Sequence, residues 1–136
     1  MALSKAVSIF TLCLILTSAG CSSTKQYDGP EKPSSSVSIL IRHEGGWIHT
    51  IDGKWRGIGD LKRYDFLPGE HTLKVYYGPV GSFVHAADYL TLTVNLKPGR
   101  TYDLVFTADL AKKKWNAFVI DALSGEMASQ QVEQNK

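Results

Sequence analysis

The sequence predicts an all-β fold: a small antiparallel β-sandwich of about seven strands, of Greek-key type, behind a flexible N-terminal segment. Three observations carry that expectation. Short runs rich in β-branched and aromatic residues recur through residues 37–121. Turn signals built on Gly, Pro and Asp separate these runs at intervals of roughly 8–15 residues. No stretch of the domain repeats its apolar residues with a convincing helical period.

The hub is residues 67–77 (LPGEHTLKVYY). Pro68 presets φ for the corner of a tight turn, and Gly69 follows where a positive φ is often needed. Beyond the turn the chain alternates. His71, Leu73, Val75 and Tyr77 share one face, and Thr72, Lys74 and Tyr76 share the other.

The length, 136 residues, fits one domain, and 43% hydrophobic with 21% charged residues is globular composition rather than disorder. A net charge of +2 with intermixed signs is too little to imply a nucleic-acid partner. No run downstream of the N-terminus is long and apolar enough to span a bilayer.

Residues 1–20 have the parts of an export signal. Lys5 supplies a short positive region, residues 6–16 (AVSIFTLCLIL) an apolar core, and Thr17, Ser18, Ala19 and Gly20 a small-residue exit. Cys21 and the polar run Ser22-Ser23-Thr24-Lys25 follow. The stretch Ser18-Ala19-Gly20-Cys21 resembles the bacterial lipobox, with Ser at the position where Leu is usual. The resemblance implies cleavage before Cys21, a diacylglycerol on its thiol and an acyl chain on its amine. The alternatives are an ordinary secretory cut nearby, leaving Cys21 free, or an uncleaved anchor. At about 0.8 kcal/mol per buried methylene, two or three chains anchor a protein stably. The expected location is the bacterial cell envelope. In a Gram-negative host, Ser22 rather than Asp after the cysteine points to the outer membrane, facing the periplasm. With Cys13 inside the leader, Cys21 is the one cysteine left after cleavage, so no disulfide supports the domain.

Residues 21–36 read as the lipidated cysteine and a flexible tether, with a random-coil reach of roughly 20 Å. Residues 37–121 hold the sandwich. The first strand is 37–42, with Val37, Ile39 and Ile41 on one face. The second is 47–51, Asp52-Gly53 gives the strongest hairpin signal, and 54–58 returns, weakened by Gly57 and Gly59. Residues 61–66 form a short strand leading into the hub, while 78–88 read as loop, with 83–88 ambiguous. A strand over 89–96 points Leu90, Leu92, Val94 and Leu96 inward. Pro98-Gly99 turns the chain into 101–107, and the lysine-rich turn 111–114 leads to a last strand over 115–121. Residues 122–136 are polar and Gln-rich, a frayed tail or one helical turn. The expected core is Ile39, Ile41, Leu73, Val75, Leu92, Val94, Leu104, Phe106 and Phe118.

Ile51-Asp52-Gly53, Gly57, Leu67-Pro68-Gly69-Glu70-His71, Leu73, Val75, Leu92-Thr93-Val94 and Pro98-Gly99 together resemble PEGA-type domains of bacterial and archaeal surface proteins. The resemblance covers under half of the chain. It implies a transthyretin-like or immunoglobulin-like sandwich used as an accessory module. Its motif residues form turns and core, so it carries over no catalytic residue. Tyr77-Gly78 stands where the family often has Gly-Tyr, and the proline common after its Asp-Gly hairpin is missing.

Catalytic patterns were sought by residue type. His43, His49, His71 and His85 show no metal-ligand spacing and read as surface or strand-end residues, His71 packing on or bonding its own turn. There is no G-x-S-x-G elbow, and the Gly-rich segments precede strands rather than a phosphate-binding helix. The chain therefore reads as non-catalytic and free of cofactors apart from the lipid on Cys21. The leading expectation is an envelope lipoprotein that binds or scaffolds another envelope protein. The runner-up is a glycan- or peptidoglycan-binding module using Trp47, Trp55 and Tyr76 as a face; a small hydrolase comes last. The aromatic face requires outward rings, and core packing of the same tryptophans is the competing reading. Lys62-Arg63 and Lys112-Lys113-Lys114 read as soluble turns, with a role against anionic lipid or glycan as the alternative.

Overall fold

A computed structural model describes residues 25–55, 61–78, 89–109, 111–112 and 114–132. The leader, Cys21, Gly57, Gly59 and residues 83–88, on which several expectations fall, lie outside the described residues.

The all-β sandwich is present, with nine strands among the described residues rather than about seven. They are β1 (Ser38–Arg42), β2 (Gly46–Ile51), β3 (Lys54–Trp55), β4 (Arg63–Phe66), β5 (Gly69–Tyr77), β6 (Leu90–Leu96), β7 (Thr101–Asp109), β8 (Lys114–Asp121) and β9 (Ser129–Gln131). One sheet has the order β4-β1-β7-β8 and the other β3-β2-β5-β6-β9. All pairings are antiparallel except β1 with β7, which run parallel, Ile39 beside Thr101 and Leu40 beside Tyr102.

Turn chemistry sets the local geometry. Asp52 and Gly53 adopt φ of 51° and 77° and join β2 to β3 in a two-residue hairpin, the pair of positive values a type I′ turn needs. Gly69 enters β5 at φ 126°. A bulge between Ile48 and Thr50 then shifts the β2–β5 register, which twists β2 and redirects His49.

The core lies between the sheets. Leu40, Tyr64, Phe66, Tyr102, Leu104, Ala117 and Val119 project from the four-stranded sheet. Ile51, Leu73, Val75, Leu92, Val94 and Leu96 meet them from the other. Each large side chain buried this way contributes on the order of 1.5–3 kcal/mol.

Three of the expected core residues face the other way. In β1 the inward residues are Ser38, Leu40 and Arg42, leaving Ile39 and Ile41 half-buried outside. In β8 they are Ala117, Val119 and Asp121, leaving Phe118 outside. Phe106 packs at the margin of the core. The inward polar groups are satisfied: Ser38 Oγ donates to the Lys97 carbonyl at 2.7 Å, and Arg42 donates to the Leu61 and Gly46 carbonyls at 3.0 and 2.8 Å.

Two terminal segments are more ordered than expected. The tail folds back as β9 against β6, and it ties that sheet to β8 through Ala128 N–H to the Val119 carbonyl and Asp121 N–H to the Glu126 carbonyl. Part of the tether docks as well. Lys25 forms a parallel bridge with Asp65 of β4, Gln26 N–H donates to the Asp65 carbonyl at 2.8 Å, and a 3-10 turn at Ser34–Ser36 leads into β1.

Candidate functional site

The two outer faces of the sandwich differ in chemistry. On the five-stranded sheet, Trp47 pairs with Tyr76 across β2 and β5, and Trp55, Thr50 and Lys74 align across β3, β2 and β5. Cross-strand partners share a face, so all of these side chains point away from the core. His49 joins them from the bulge, its ring centroid 4.8 Å from Tyr89 and 6.4 Å from Tyr76. Tyr76 and Tyr89 meet edge to face at 5.6 Å.

Two cations complete the cluster. Lys74 Nζ lies 4.7 Å from the Tyr89 ring centre, and the buried Arg42 guanidinium lies 4.3 Å from that of Trp47. Such contacts are electrostatically favourable because the ring face carries negative charge. Burial, and then the neighbouring Tyr89, push the Tyr76 hydroxyl above its ordinary pKa, so it is present as a neutral donor.

The three expected face residues do not form one flat platform. Trp55 is 60% exposed at the sheet edge. Trp47 is half-buried, donating from Nε1 to the Gly78 carbonyl at 2.9 Å. Tyr76 is half-buried and is separated from Trp55 by β2, so the two are not on adjacent strands. What joins Tyr76 to the cluster is His49 and Tyr89, which strand alternation alone did not single out, because His49 owes its position to the bulge.

The outer face of the four-stranded sheet carries an apolar row. Ile39 and Ile41 of β1, Val105 of β7, and Phe118 and Ile120 of β8 line up there, outside the core cluster. Register ties them together: Val105 opposes Phe118, and Asp103 lies between Ile41 and Ile120. Asp103 is engaged by His43 Nε2 at 2.9 Å. Polar residues border this row on the same face, Asp65 and Arg63 opposite Ile39 and Ile41 on β4 and Thr101 and Asp103 on β7, and an apolar centre with a polar rim suits a protein partner better than a sugar.

The remaining polar clusters read as structural. His71 Nδ1 meets Asp52 Oδ2 at 2.7 Å and its Nε2 meets the Leu67 carbonyl at 2.6 Å, which locks the turn before β5 to the hairpin. Asp52 Oδ1 also accepts from Thr72 N–H at 2.8 Å. Lys62 pairs with Glu44, Arg63 with Asp65 and Lys112 with Asp109. A polar cleft of about 480 Å³ opens between β6, β9 and the start of β7, lined in part by Glu70, Asn95, Lys97, Arg100, Asp121 and Glu126. Its one strongly shifted group is Asp121, whose carboxylate sits at about 2, held down first by Ser124 N–H and then by Leu123 N–H and Arg100, against the opposing effect of burial. Among the described residues no three His, Cys, Asp or Glu side chains converge to hold a metal.

No family model, no curated protein and no solved structure matches the chain. The resemblance to PEGA-type domains therefore rests on its turn and core residues alone.

Proposed function

We propose that the chain is a non-catalytic lipoprotein of the bacterial cell envelope, anchored by acyl chains on Cys21, that binds another envelope protein through the outer face of its four-stranded sheet. In a Gram-negative host its place is the periplasmic side of the outer membrane. The observation that carries the reading is the apolar row Ile39, Ile41, Val105, Phe118 and Ile120, set on three neighbouring strands outside the core. Contiguous apolar surface on a small domain marks interaction sites. Lipobox-like residues and the small-residue exit before Cys21 support the anchor.

The test is a photo-crosslinking residue at Val105, with another at Lys74 on the opposite face, in the native envelope. Stoichiometric capture of one protein from position 105, lost in Ile120→Lys and absent from position 74, supports the reading. Equal, diffuse labelling from both positions sinks it.

A second reading, a glycan- or peptidoglycan-binding module, draws on Trp55 and the Trp47–Tyr76–His49–Tyr89 cluster. Exposed rings stack on sugar faces. A shift of Trp55 emission on titration with muropeptides supports it, and unchanged emission at millimolar ligand ends it.

A further inference from the structure

The point at which the chain leaves the sandwich fixes how the domain stands on a membrane. If residues 22–36 were a free leash, the domain would tumble at a distance set by some fifteen residues. Instead the chain is already part of a sheet edge at Lys25, bridged to Asp65, with Gln26 N–H bonded to the Asp65 carbonyl. Lys25 Nζ donates to the Gly29 carbonyl, and Lys32 N–H donates to the Tyr27 hydroxyl at 3.0 Å. These bonds close residues 25–36 into a loop beside β4 before the chain enters β1.

Three residues separate Lys25 from Cys21, which makes four Cα–Cα steps. A fully extended chain covers at most about 3.6 Å per step, so Lys25, bridged to β4, stays within about 14 Å of the lipidated residue. The opposite edge is three strands away across β1, β7 and β8, and at about 4.8 Å per strand that adds roughly 14 Å. The second sheet follows the same orientation. Phe66 of β4 lies 4.9 Å from the His71 ring, which bonds Asp52 at the β2–β3 corner, while β8 packs on β6 and β9 at the far side.

We infer that the sandwich is held edge-on to the bilayer, with the β4/β3 edge against the lipid surface and the β8/β9 edge pointing away. Both outer faces then stand roughly perpendicular to the membrane and open sideways. The inference rests on acylation of Cys21, and it adds the orientation. Of the cations at this edge, Lys62 and Arg63 are paired with Glu44 and Asp65 at 3.2 and 2.8 Å, while Lys25, Lys32 and, on β3, Lys54 lie there as well. The short leash imposes this proximity in neutral lipid too, and the cations of the edge add to it where the lipid is anionic.

The experiment uses the full lipidated chain in phosphatidylcholine vesicles, with and without a quarter of phosphatidylglycerol. Cys21 is blocked when acylated, so one new cysteine gives a single labelling site. A spin label is placed at Glu31→Cys, beside β4, or at Leu123→Cys, 93% exposed at the far edge. Its relaxation by nickel chelated to lipid headgroups is then read. The expected result is several-fold stronger relaxation at position 31 in both lipid mixtures. Gln26→Pro removes the N–H that joins the loop to β4, lengthens the leash and brings the two positions toward equality. Equal relaxation in the unaltered, acylated chain overturns the orientation and leaves the anchor standing. A mature chain whose mass shows no acyl groups on Cys21 overturns both.

Discussion

Gly46 stands where a side chain has no room. A Cβ there would lie within 2.5 Å of the Tyr76 carbonyl oxygen and would run into the Phe106 ring. The ring can shift, but the carbonyl belongs to the β2–β5 ladder. Gly46→Ala is expected to cost about 1–3 kcal/mol, read as a lower urea midpoint with an unchanged m-value. Asp52 combines a positive φ with two acceptor roles, to Thr72 N–H and to His71. Asp52→Ala should lose about 2–3 kcal/mol, and Asp52→Asn, which tolerates the backbone and keeps an acceptor, should recover much of it in the same urea titration. Asp121 links stability to acid. Its folded pKa of about 2 lies below the ordinary 3.8, so its contribution is full above the ordinary value and is lost as pH falls toward the folded one. Thermal melts of Asp121→Asn should lose less stability than those of the parent chain between about pH 4 and 2. Among the tryptophans, the exposure of Trp55 against the half-buried Trp47 and Trp115 predicts that Trp55→Phe removes most of the acrylamide-quenchable emission.

At the scale of elements, β9 is the instructive case. Ser129–Gln131 has little apolar content, and what holds it is backbone pairing with β6 together with Val119 N–H donating to Ser129 Oγ at 2.8 Å. Replacing Ala128 with Pro removes the bond to Val119. Amide exchange should then quicken at Val119 and Asn95, both bonded to this segment, while the β2–β3 hairpin keeps its protection. The same contrast explains what could be read from sequence. Asp52-Gly53, Pro68-Gly69 and Pro98-Gly99 mark corners because few residues tolerate their backbone angles, and β5 and β6 alternate because one face is buried. In β1, Ile39, Leu40 and Ile41 are apolar on both sides, so alternation gives no direction; Ser38 and Arg42 turn inward because carbonyls at the sheet ends accept from them. The association of Tyr89 with His49 was not legible, because it depends on a bulge and on contact across neighbouring strands. Three residues of the apolar outer row, Ile39, Ile41 and Phe118, were hidden for the same reason as the face of β1: they were counted as core.

At the scale of the whole molecule, the sandwich presents two unlike faces from one core, one aromatic and cationic, the other carrying an apolar row. If Cys21 carries the anchor, Cys21→Ser should move the protein from the membrane pellet to the soluble fraction without changing its melting temperature, since the described sandwich begins beyond that residue. The parallel pairing of β1 with β7 has a consequence for the order of assembly. Ile39 must wait for Thr101, about sixty residues later, before its strand has both neighbours. Contacts so far apart in sequence form late, because a long loop has to close first. The first strand is thus left without its central partner while more than half the domain is still being made. A chain threaded through a translocation pore must stay unfolded until it has crossed, and if residues 1–20 direct export, this topology delays folding at the end that enters first.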